Sequence, residues 1–218
     1  DRSLTNMMNP KACYFHVDEA LREIFLSENK HWKYTNRNKI ILFSTGCTTF
    51  WKGPDMMLKT ARILKSIGID FEWIIAGKMD LNLKKVVEHH EKCRFEDVNL
   101  KLIGFTTPDK LINYLCNSTM YVHTAYIENS PNSICEAQIL GVPIVSTNVG
   151  GISTLLDGNG DLVPANDPWQ MANAIIDLAN NKDKMIRYSK NGRKIASLRH
   201  SPEVIKEQLL NCYEVLLG

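Results

Sequence analysis

Two glutamates on either side of a short polar segment are the residues of this chain best suited to chemistry. Seven residues separate Glu128 from Glu136, and Ser130 and Pro131 lie between them. Serine followed by proline is typical of a helix start, so Ser130 would cap a helix and Pro131 would be its first residue. The free backbone amides at such a helix end favour an anion such as a diphosphate.

Carboxylates beside a bound phosphate need an explanation, because the two groups repel each other. A carboxylate accepts two hydrogen bonds well from a vicinal diol such as a ribose. One glutamate could therefore hold a ribose. The other could hold sugar hydroxyls, or the positive charge that develops on a sugar ring in a transition state. The alternative is a surface ion pair on the helix together with an unrelated loop carboxylate, which is a common arrangement.

A second candidate is Lys52, in the segment GCTTFWKGP that covers residues 46–54. This segment matches neither the glycine pattern of dinucleotide-binding turns nor that of phosphate-binding P-loops. It does place a lysine beside the start of a predicted helix, where the ammonium and the helix end both favour an anion. Taken alone, an exposed surface lysine is the commoner explanation. Gly150 and Gly151 permit either a close backbone approach to a ligand or a tight turn, and the turn is the commoner case.

From residue 39 onward, apolar strand-like runs alternate with amphipathic helical runs. Strands are predicted at residues 39–45, 71–76, 99–103, 120–124 and 143–147, with a short sixth at 162–163. Helices are predicted at residues 54–67, 81–93, 108–116, 131–140, 168–180, 184–198 and 202–216. This alternation predicts an α/β fold, a Rossmann-like parallel sheet with helices on both faces.

The predicted topology also places the site. In such sheets, ligands bind beyond the carboxyl ends of the strands. The site would then be formed by segments 46–53, 77–80, 104–107, 125–132 and 148–153. Residues 1–38 are expected to be irregular, apart from a helical pattern at residues 18–27, and to precede a domain that covers residues 39–218.

Composition excludes some classes of partner. The formal net charge of +2 gives no bias toward nucleic acid. The six cysteines lack metal-site spacing and are expected to be free thiols in a reducing compartment, which predicts a cytoplasmic protein. The basic run at residues 182–200 could contact anionic lipid at the inner face of a membrane. A solvated helix face is the commoner explanation of such a run.

Residues 121–167 closely resemble the donor-binding domain of retaining glycosyltransferases of the GT-B fold, specifically glycosyltransferase family four. The family pattern has two glutamates separated by seven residues, followed by E-A-x-x-x-G-x-P-V, by G-G and by G-x-L-V-x-x-x-D-P. Here the pattern reads ENSPNSICEAQILGVPIV, then GG, then GDLVPANDP. The segment at Gly46, Lys52 and Gly53 also resembles the family's G-R-x-x-x-x-K-G. The resemblance covers about residues 39–215.

The resemblance implies a role for each matching position. Glu136 would bind the ribose of the donor nucleotide, Glu128 would contact the transferred sugar, and Lys52 would neutralise the diphosphate leaving group. The other implied donor-binding residues are Gly46, Phe105, Asn129, Ser130, Asn132 and Ser133. The implied donor is a uridine or guanosine diphosphate sugar, and the implied reaction uses no bound metal and no other cofactor.

The chain departs from the family in two respects. Cys47 stands where the family usually has arginine, so one cation of the diphosphate clamp is missing, and Thr48, Thr49 or Lys78 would have to compensate. Complete GT-B enzymes also have two Rossmann-like domains, and one is present here. The implied partner is a missing N-terminal acceptor domain, with residues 1–38 as the inter-domain connection. The chain alone is expected to bind a nucleotide sugar without transferring the sugar.

The resulting prediction is the donor-binding half of a hexosyltransferase-type enzyme that acts with retention in polysaccharide or glycoconjugate biosynthesis. Two alternatives stay open, a GT-B-like sugar-nucleotide epimerase and a catalytically silent nucleotide-binding module. His123, on a predicted buried strand that ends near the site, is more often a core histidine than a catalytic one in such positions.

Overall fold

The computed structural model describes residues 2–46 and 49–218 of the chain. Its centre is a six-stranded sheet in which every neighbouring pair is parallel. The strands are β1 (Ile40–Thr45), β2 (Phe71–Ala76), β3 (Leu100–Gly104), β4 (Met120–His123), β5 (Ile144–Thr147) and β6 (Asp161–Val163). Their order across the sheet is β3-β2-β1-β4-β5-β6. The predicted α/β class is confirmed.

The central strands are largely apolar because helices cover both of their faces. Leu42 and Phe43 of β1 and Tyr121 and Val122 of β4 are fully buried. In this register Leu42 lies opposite Met120. A strand buried on both faces has no solvent side to alternate toward, so its sequence is a continuous apolar run.

Helices lie on both faces of the sheet. They are α1 (Arg2–Met8), α2 (Glu23–Leu26), α3 (Pro54–Ser66), α4 (Leu81–Glu91), α5 (Pro108–Asn117), α6 (Asn132–Ile139), α7 (Ile152–Leu156), α8 (Pro168–Ala179), α9 (Lys182–Arg199) and α10 (Pro202–Leu217). One layer has α3 packed against α4 and α8, and the other has α6 packed against α2 and α9. In the described part of the chain, no helix is both long enough and apolar enough to cross a bilayer.

The segment before β1 packs on the domain rather than standing apart from it. Phe25, in α2, is fully buried, and Leu21 and Trp32 are nearly so. The Trp32 amide donates to the Leu140 carbonyl at 2.8 Å, and the Trp32 indole Nε1 donates to the Ser118 carbonyl at 2.9 Å. The helical pattern predicted at residues 18–27 therefore corresponds to a short helix, α2, whose apolar side joins the core.

Two short helices were not predicted, α1 and α7. Both are brief, and α1 has no buried residue, so neither carries a long amphipathic pattern. The other predicted elements are found with their ends displaced by a few residues at most, as is usual for helix and strand termini.

The basic run lies mostly on α9, and several of its cations have partners within the domain. Lys184 Nζ lies 2.9 Å from Asp161 Oδ2 and 2.8 Å from Asp177 Oδ2. Contact of this helix with anionic lipid stays a prediction. Free cysteines among the described residues are Cys13, Cys93, Cys116, Cys135 and Cys212.

Candidate functional site

The candidate site lies at the carboxyl edge of the sheet, between β1 and β4. The strand order runs from β1 to β3 on one side and from β4 to β6 on the other, so the connections diverge at this point. Divergent connections leave a crevice in which open α/β sheets bind their ligands. Lys52 follows β1 and Glu128 follows β4, so the topology brings the two predicted catalytic residues to the same crevice.

Lys52 and Glu128 form an ion pair across this crevice. Lys52 Nζ contacts Glu128 Oε1, and His123 Nε2 lies 3.3 Å from the same carboxylate oxygen. The His123 contact is within ion-pair distance, but it does not meet the geometry of a hydrogen bond. Both of these neighbours approach Oε1 rather than the second carboxylate oxygen.

These neighbours set the ionisation of Glu128. Burial of the carboxyl acts to raise its pKa, but the interactions with His123 and Lys52 act in the opposite direction and outweigh it. The pKa of Glu128 is therefore lowered, and the group is an anion at neutral pH. An ionised carboxylate accepts hydrogen bonds and donates none, which suits sugar hydroxyls.

Contacts between the segments after β1 and β4 hold Lys52 in place. The Tyr126 amide donates to the Trp51 carbonyl at 2.7 Å, and the Thr124 hydroxyl donates to the Lys52 carbonyl at 3.0 Å. The Tyr126 hydroxyl also donates to Asp55 Oδ2 at 2.7 Å, at the start of α3. These hydrogen bonds fix the backbone of the segment that carries Lys52. The side chain of the neighbouring Trp51 is half exposed.

Helix α6 begins one residue later than predicted, and Ser130 does not cap it. Pro131 occupies the N-cap position, with extended backbone angles and no side-chain cap. Its carbonyl accepts the first helical hydrogen bond from Ile134 at 3.0 Å. The amides of Asn132 and Ser133 precede that bond, so the helix itself gives them no acceptor. The predicted free amides are thus present, although the predicted cap was wrong.

Glu136 lies in the second turn of α6 and pairs with a residue far away in the sequence. Arg22 Nε donates to Glu136 Oε1 at 2.7 Å, and the Glu136 side chain is only 7% exposed. The sequence contained no signal for this partner. A buried carboxylate needs a nearby cation, because burying an unpaired charge costs roughly several kcal/mol of folding free energy.

Gly150 and Gly151 lie in a turn, the commoner of the two explanations, and they also permit a close approach between two backbone segments of this chain. Gly150 has a φ of +53°, and a Cβ there would overlap the Glu128 carbonyl. A Cβ at Gly151 would lie 2.5 Å from the Asn129 carbonyl oxygen, which accepts a hydrogen bond from the Gly151 amide at 3.1 Å. Because they have no side chain, the glycines let the segment after β5 pack directly against the backbone of Glu128 and Asn129.

The remaining predicted residues occupy varied positions. The Gly46 amide donates to the Ala76 carbonyl at 2.9 Å and so extends the β1–β2 ladder. Phe105 follows β3 and is 88% exposed. Ser133 lies near the Tyr121 phenol, which hydrogen-bonds the Thr45 hydroxyl at 2.9 Å and whose pKa burial raises to about 12. Asn132 Nδ2 donates to Glu19 Oε1 at 3.2 Å.

Three further candidate residues are exposed at the surface, namely Asn129, Ser130 and Lys78. The side chains of Asn129 and Ser130 are exposed beside the site. Lys78, at the end of β2, is exposed as well, and no ion pair with it is found in the described ranges. Cys47 and Thr48 lie outside the described residues. Within those residues, no cluster of three or more His, Cys, Asp or Glu side chains is arranged to hold a metal ion.

A family model described as "Glycosyl transferases group 1" matches residues 27–195. The chain belongs to this family. Within it, the capsular polysaccharide biosynthesis glycosyltransferase CapM of Staphylococcus aureus is 27% identical over 192 residues, which is 87% of this chain and 50% of CapM. D-inositol 3-phosphate glycosyltransferase of Paenarthrobacter aurescens is 33% identical over 135 residues, which is 58% of this chain and 32% of that protein.

Solved structures show the same fold as this group 1 glycosyl transferase. The Anabaena protein Alr3699/HepE, solved in complex with UDP-glucose, has a TM-score of 0.68 at 23% identity, covering 82% of this chain and 49% of its own. The C-terminal domain of LpcC from Francisella tularensis has a TM-score of 0.63 at 18% identity, covering 86% of this chain and 96% of that domain. The chain spans about half the length of CapM and HepE, and it matches the C-terminal half of GT-B glycosyltransferases.

Proposed function

We propose that this chain is the donor-binding half of a retaining glycosyltransferase that takes its sugar from a nucleoside diphosphate. One observation carries the proposal. At the crevice between β1 and β4, Lys52 contacts Glu128, which lies at one end of a loop. The other end of this loop is the N-terminus of α6, the helix that carries Glu136. A cation, free helix amides and two carboxylates in this order suit a diphosphate held between two hydroxyl-rich groups.

Each residue has a distinct part in binding. Glu136 accepts hydrogen bonds from the ribose diol, and Glu128 accepts them from the transferred sugar through its second oxygen. An ammonium has three donors, so Lys52 can keep Glu128 as a partner and still bind a phosphate oxygen. The amides of Asn132 and Ser133 add to that anion site. Phe105 and Gly46 border the nucleotide, with Asn129 and Ser130 beside the sugar.

The chemistry follows from where charge develops. The bond between the anomeric carbon and the diphosphate oxygen breaks, and the departing diphosphate keeps the electron pair. Lys52 and the α6 amides stabilise that growing negative charge. The acceptor hydroxyl attacks the same face of the sugar, and its proton goes to the departing phosphate oxygen. Glu128, close to the sugar, stabilises the positive charge on the ring while the bond is broken. No step in this scheme requires a metal ion.

A second domain would supply the acceptor. HepE and CapM are about twice as long as the matched region, and α10 exposes a row of apolar side chains. The exposed apolar residues of this helix are Leu209, Leu210, Tyr213, Val215, Leu216 and Leu217. An apolar surface of this kind suits packing against another domain. We propose that an acceptor-binding domain covers α10 and closes the crevice over the donor.

A thermal-shift panel tests the proposal. Uridine, guanosine and adenosine diphosphate sugars are added to the chain at increasing concentration. A ligand at about a hundred times its Kd stabilises the folded state by about 2.7 kcal/mol, which is easily detected. We expect one base to raise the melting temperature more than the others. If no nucleotide sugar raises it, the proposed function is wrong.

A further inference from the structure

We propose that Arg22 is a positioning residue of the donor site, which holds Glu136 for the ribose diol and neutralises its charge beside the diphosphate. The inference rests on the proposed function, because it assigns a role to Arg22 in that same site. It starts from the contact between Arg22 Nε and Glu136 Oε1 at 2.7 Å.

Two contacts fix the Arg22 guanidinium, although its side chain is 48% exposed. The first contact is the hydrogen bond to Glu136. The second is with the Phe25 ring, whose centroid lies 4.6 Å from the guanidinium carbon. Phe25 is fully buried, so this ring is a rigid support. A planar guanidinium held in this way keeps its partner carboxylate in one orientation.

The segment that carries Arg22 is anchored to the same domain at further points. Glu19 Oε1 accepts from Asn132 Nδ2 at 3.2 Å, at the first residue of α6. The Glu19 carbonyl oxygen lies 2.7 Å from His200 Nδ1, and the Asp18 amide donates to Gln208 Oε1 at 2.9 Å. The segment therefore spans from α6 to α10, and it places Arg22 against Glu136 as a defined part of the fold.

The charge balance of the proposed site explains why Glu136 needs a cationic partner such as Arg22. Ribose hydroxyls can donate hydrogen bonds to Glu136, but they are neutral and do not compensate its charge. An uncompensated carboxylate near a diphosphate would repel the ligand. Lys52 neutralises Glu128, and Arg22 neutralises Glu136 in the same way. Arg22 Nε occupies one of about four lone-pair positions on the carboxylate, which leaves room for two hydroxyls.

Titration calorimetry with nucleotides that have or lack the diol tests this inference. The ligands are uridine and guanosine diphosphate and the 2′,3′-dideoxy form of each. The variants are Arg22→Met, Arg22→Lys, Glu136→Gln and the double variant Arg22→Met/Glu136→Gln. Arg37→Met is the matched control, because Arg37 is exposed and its guanidinium donates to the Asn117 carbonyl, before β4 and away from the crevice.

We expect Arg22→Met to weaken binding of the ribose nucleotide about tenfold, the effect of losing one charge-assisted interaction. The dideoxy form should weaken much less, because it loses no ribose contact and meets only the repulsion between the uncompensated Glu136 carboxylate and the diphosphate. Its binding also shows that the variant is folded. Arg22→Lys keeps the positive charge, so it should lose less affinity for the ribose nucleotide than Arg22→Met does. The double variant should bind no more weakly than Glu136→Gln alone, because Arg22 acts through Glu136. The control should bind as the unaltered chain does.

Several results would overturn the inference. An equal loss for ribose and dideoxy nucleotides would mean that Arg22 contacts the phosphates or supports the fold. Tighter binding by Arg22→Met would mean that Arg22 competes with the ribose, and unchanged binding would mean that it has no part. If Arg22→Met does not fold, Arg22→Lys decides by the same comparison of ligands. If the unaltered chain binds none of the nucleotides, the proposed function fails together with this inference.

Discussion

Lys52 and Glu128 lie 76 residues apart in the sequence and form an ion pair across the crevice between β1 and β4. The pair joins the cation proposed for the diphosphate to the carboxylate proposed for the sugar. His123 Nε2 lies 3.3 Å from the same carboxylate oxygen, so Glu128 has a second neighbour besides Lys52. In the proposed function, this ion pair is the arrangement of the site before the donor binds.

The lowered pKa of Glu128 predicts an acid-sensitive contribution to stability. A carboxyl whose folded pKa is lowered stabilises the fold above its ordinary pKa, and this stabilisation is lost as the pH falls through the folded value. Melting temperatures from about pH 7 to about pH 3 should therefore fall more steeply for the unaltered chain than for Glu128→Gln. Glu207→Gln, on the exposed side of α10, is the control and should follow the unaltered chain. Parallel curves for Glu128→Gln and the unaltered chain would contradict the prediction.

Gly150 should tolerate no side chain, because its Cβ would overlap the Glu128 carbonyl. Gly150→Ala should cost about 2 kcal/mol or more in urea unfolding, combining backbone strain with the forced displacement. Gly158→Ala is a matched control, since Gly158 has a φ of +68° with open space around the Cβ position. The control should cost about 1 kcal/mol, from the left-handed backbone alone. Equal costs at the two positions would show that the segments after β4 and β5 are not closely packed.

Cys47→Arg distinguishes an adapted site from a decayed one. The substitution restores the arginine of the family pattern at a position outside the described residues. We predict less than about a tenfold gain in nucleotide affinity, because Lys52 and Arg22 already compensate both site carboxylates. Affinity for uridine and guanosine diphosphate, measured by calorimetry, checks this. A gain of about a hundredfold or more would favour a silent module whose cationic clamp has decayed.

The chain alone should bind a donor without transferring its sugar. We expect nucleotide-sugar binding in the thermal-shift panel but no sugar transfer to an added acceptor, because the proposed acceptor domain is absent. Slow hydrolysis of the donor, measured by release of the nucleoside diphosphate, is the control for an exposed reactive site. Robust transfer to an acceptor by this chain would contradict the two-domain proposal.

The positions of the candidate residues in the fold could largely be predicted, because they lie in short segments next to strands and helices. Lys52, Glu128 and Glu136 each follow a strand or open a helix, and their positions relative to those elements fix where they lie. Strands such as β2 were predicted at their observed ends because an apolar run bounded by turn residues is an unambiguous signal. The start of α6 was misplaced by one residue because Pro131 adopts an extended backbone angle that its sequence position does not reveal.

Other features could not be predicted because they depend on contacts between distant segments. Arg22 lies 114 residues before Glu136, so no local sequence pattern could link the two residues. His123 is interpreted from the sequence as a core histidine, and it is indeed buried. The segment that follows β4 nevertheless brings Glu128 to within 3.3 Å of its ring nitrogen Nε2. The role of the Gly150–Gly151 pair was open for the same reason, since its neighbour Glu128 is remote in sequence.

The most direct test compares three ligands that share one base, namely the nucleoside, the nucleoside diphosphate and the nucleotide sugar, with three variants. The variants are Glu136→Gln, Lys52→Met and Glu128→Gln, with Lys85→Met on the exposed side of α4 as a control. We predict that Glu136→Gln weakens all three ligands about tenfold or more. Lys52→Met should weaken only the two diphosphates, and Glu128→Gln only the nucleotide sugar. Equal losses for every ligand with every variant, or no loss with Glu136→Gln, would contradict the proposed arrangement of ribose, diphosphate and sugar along this crevice.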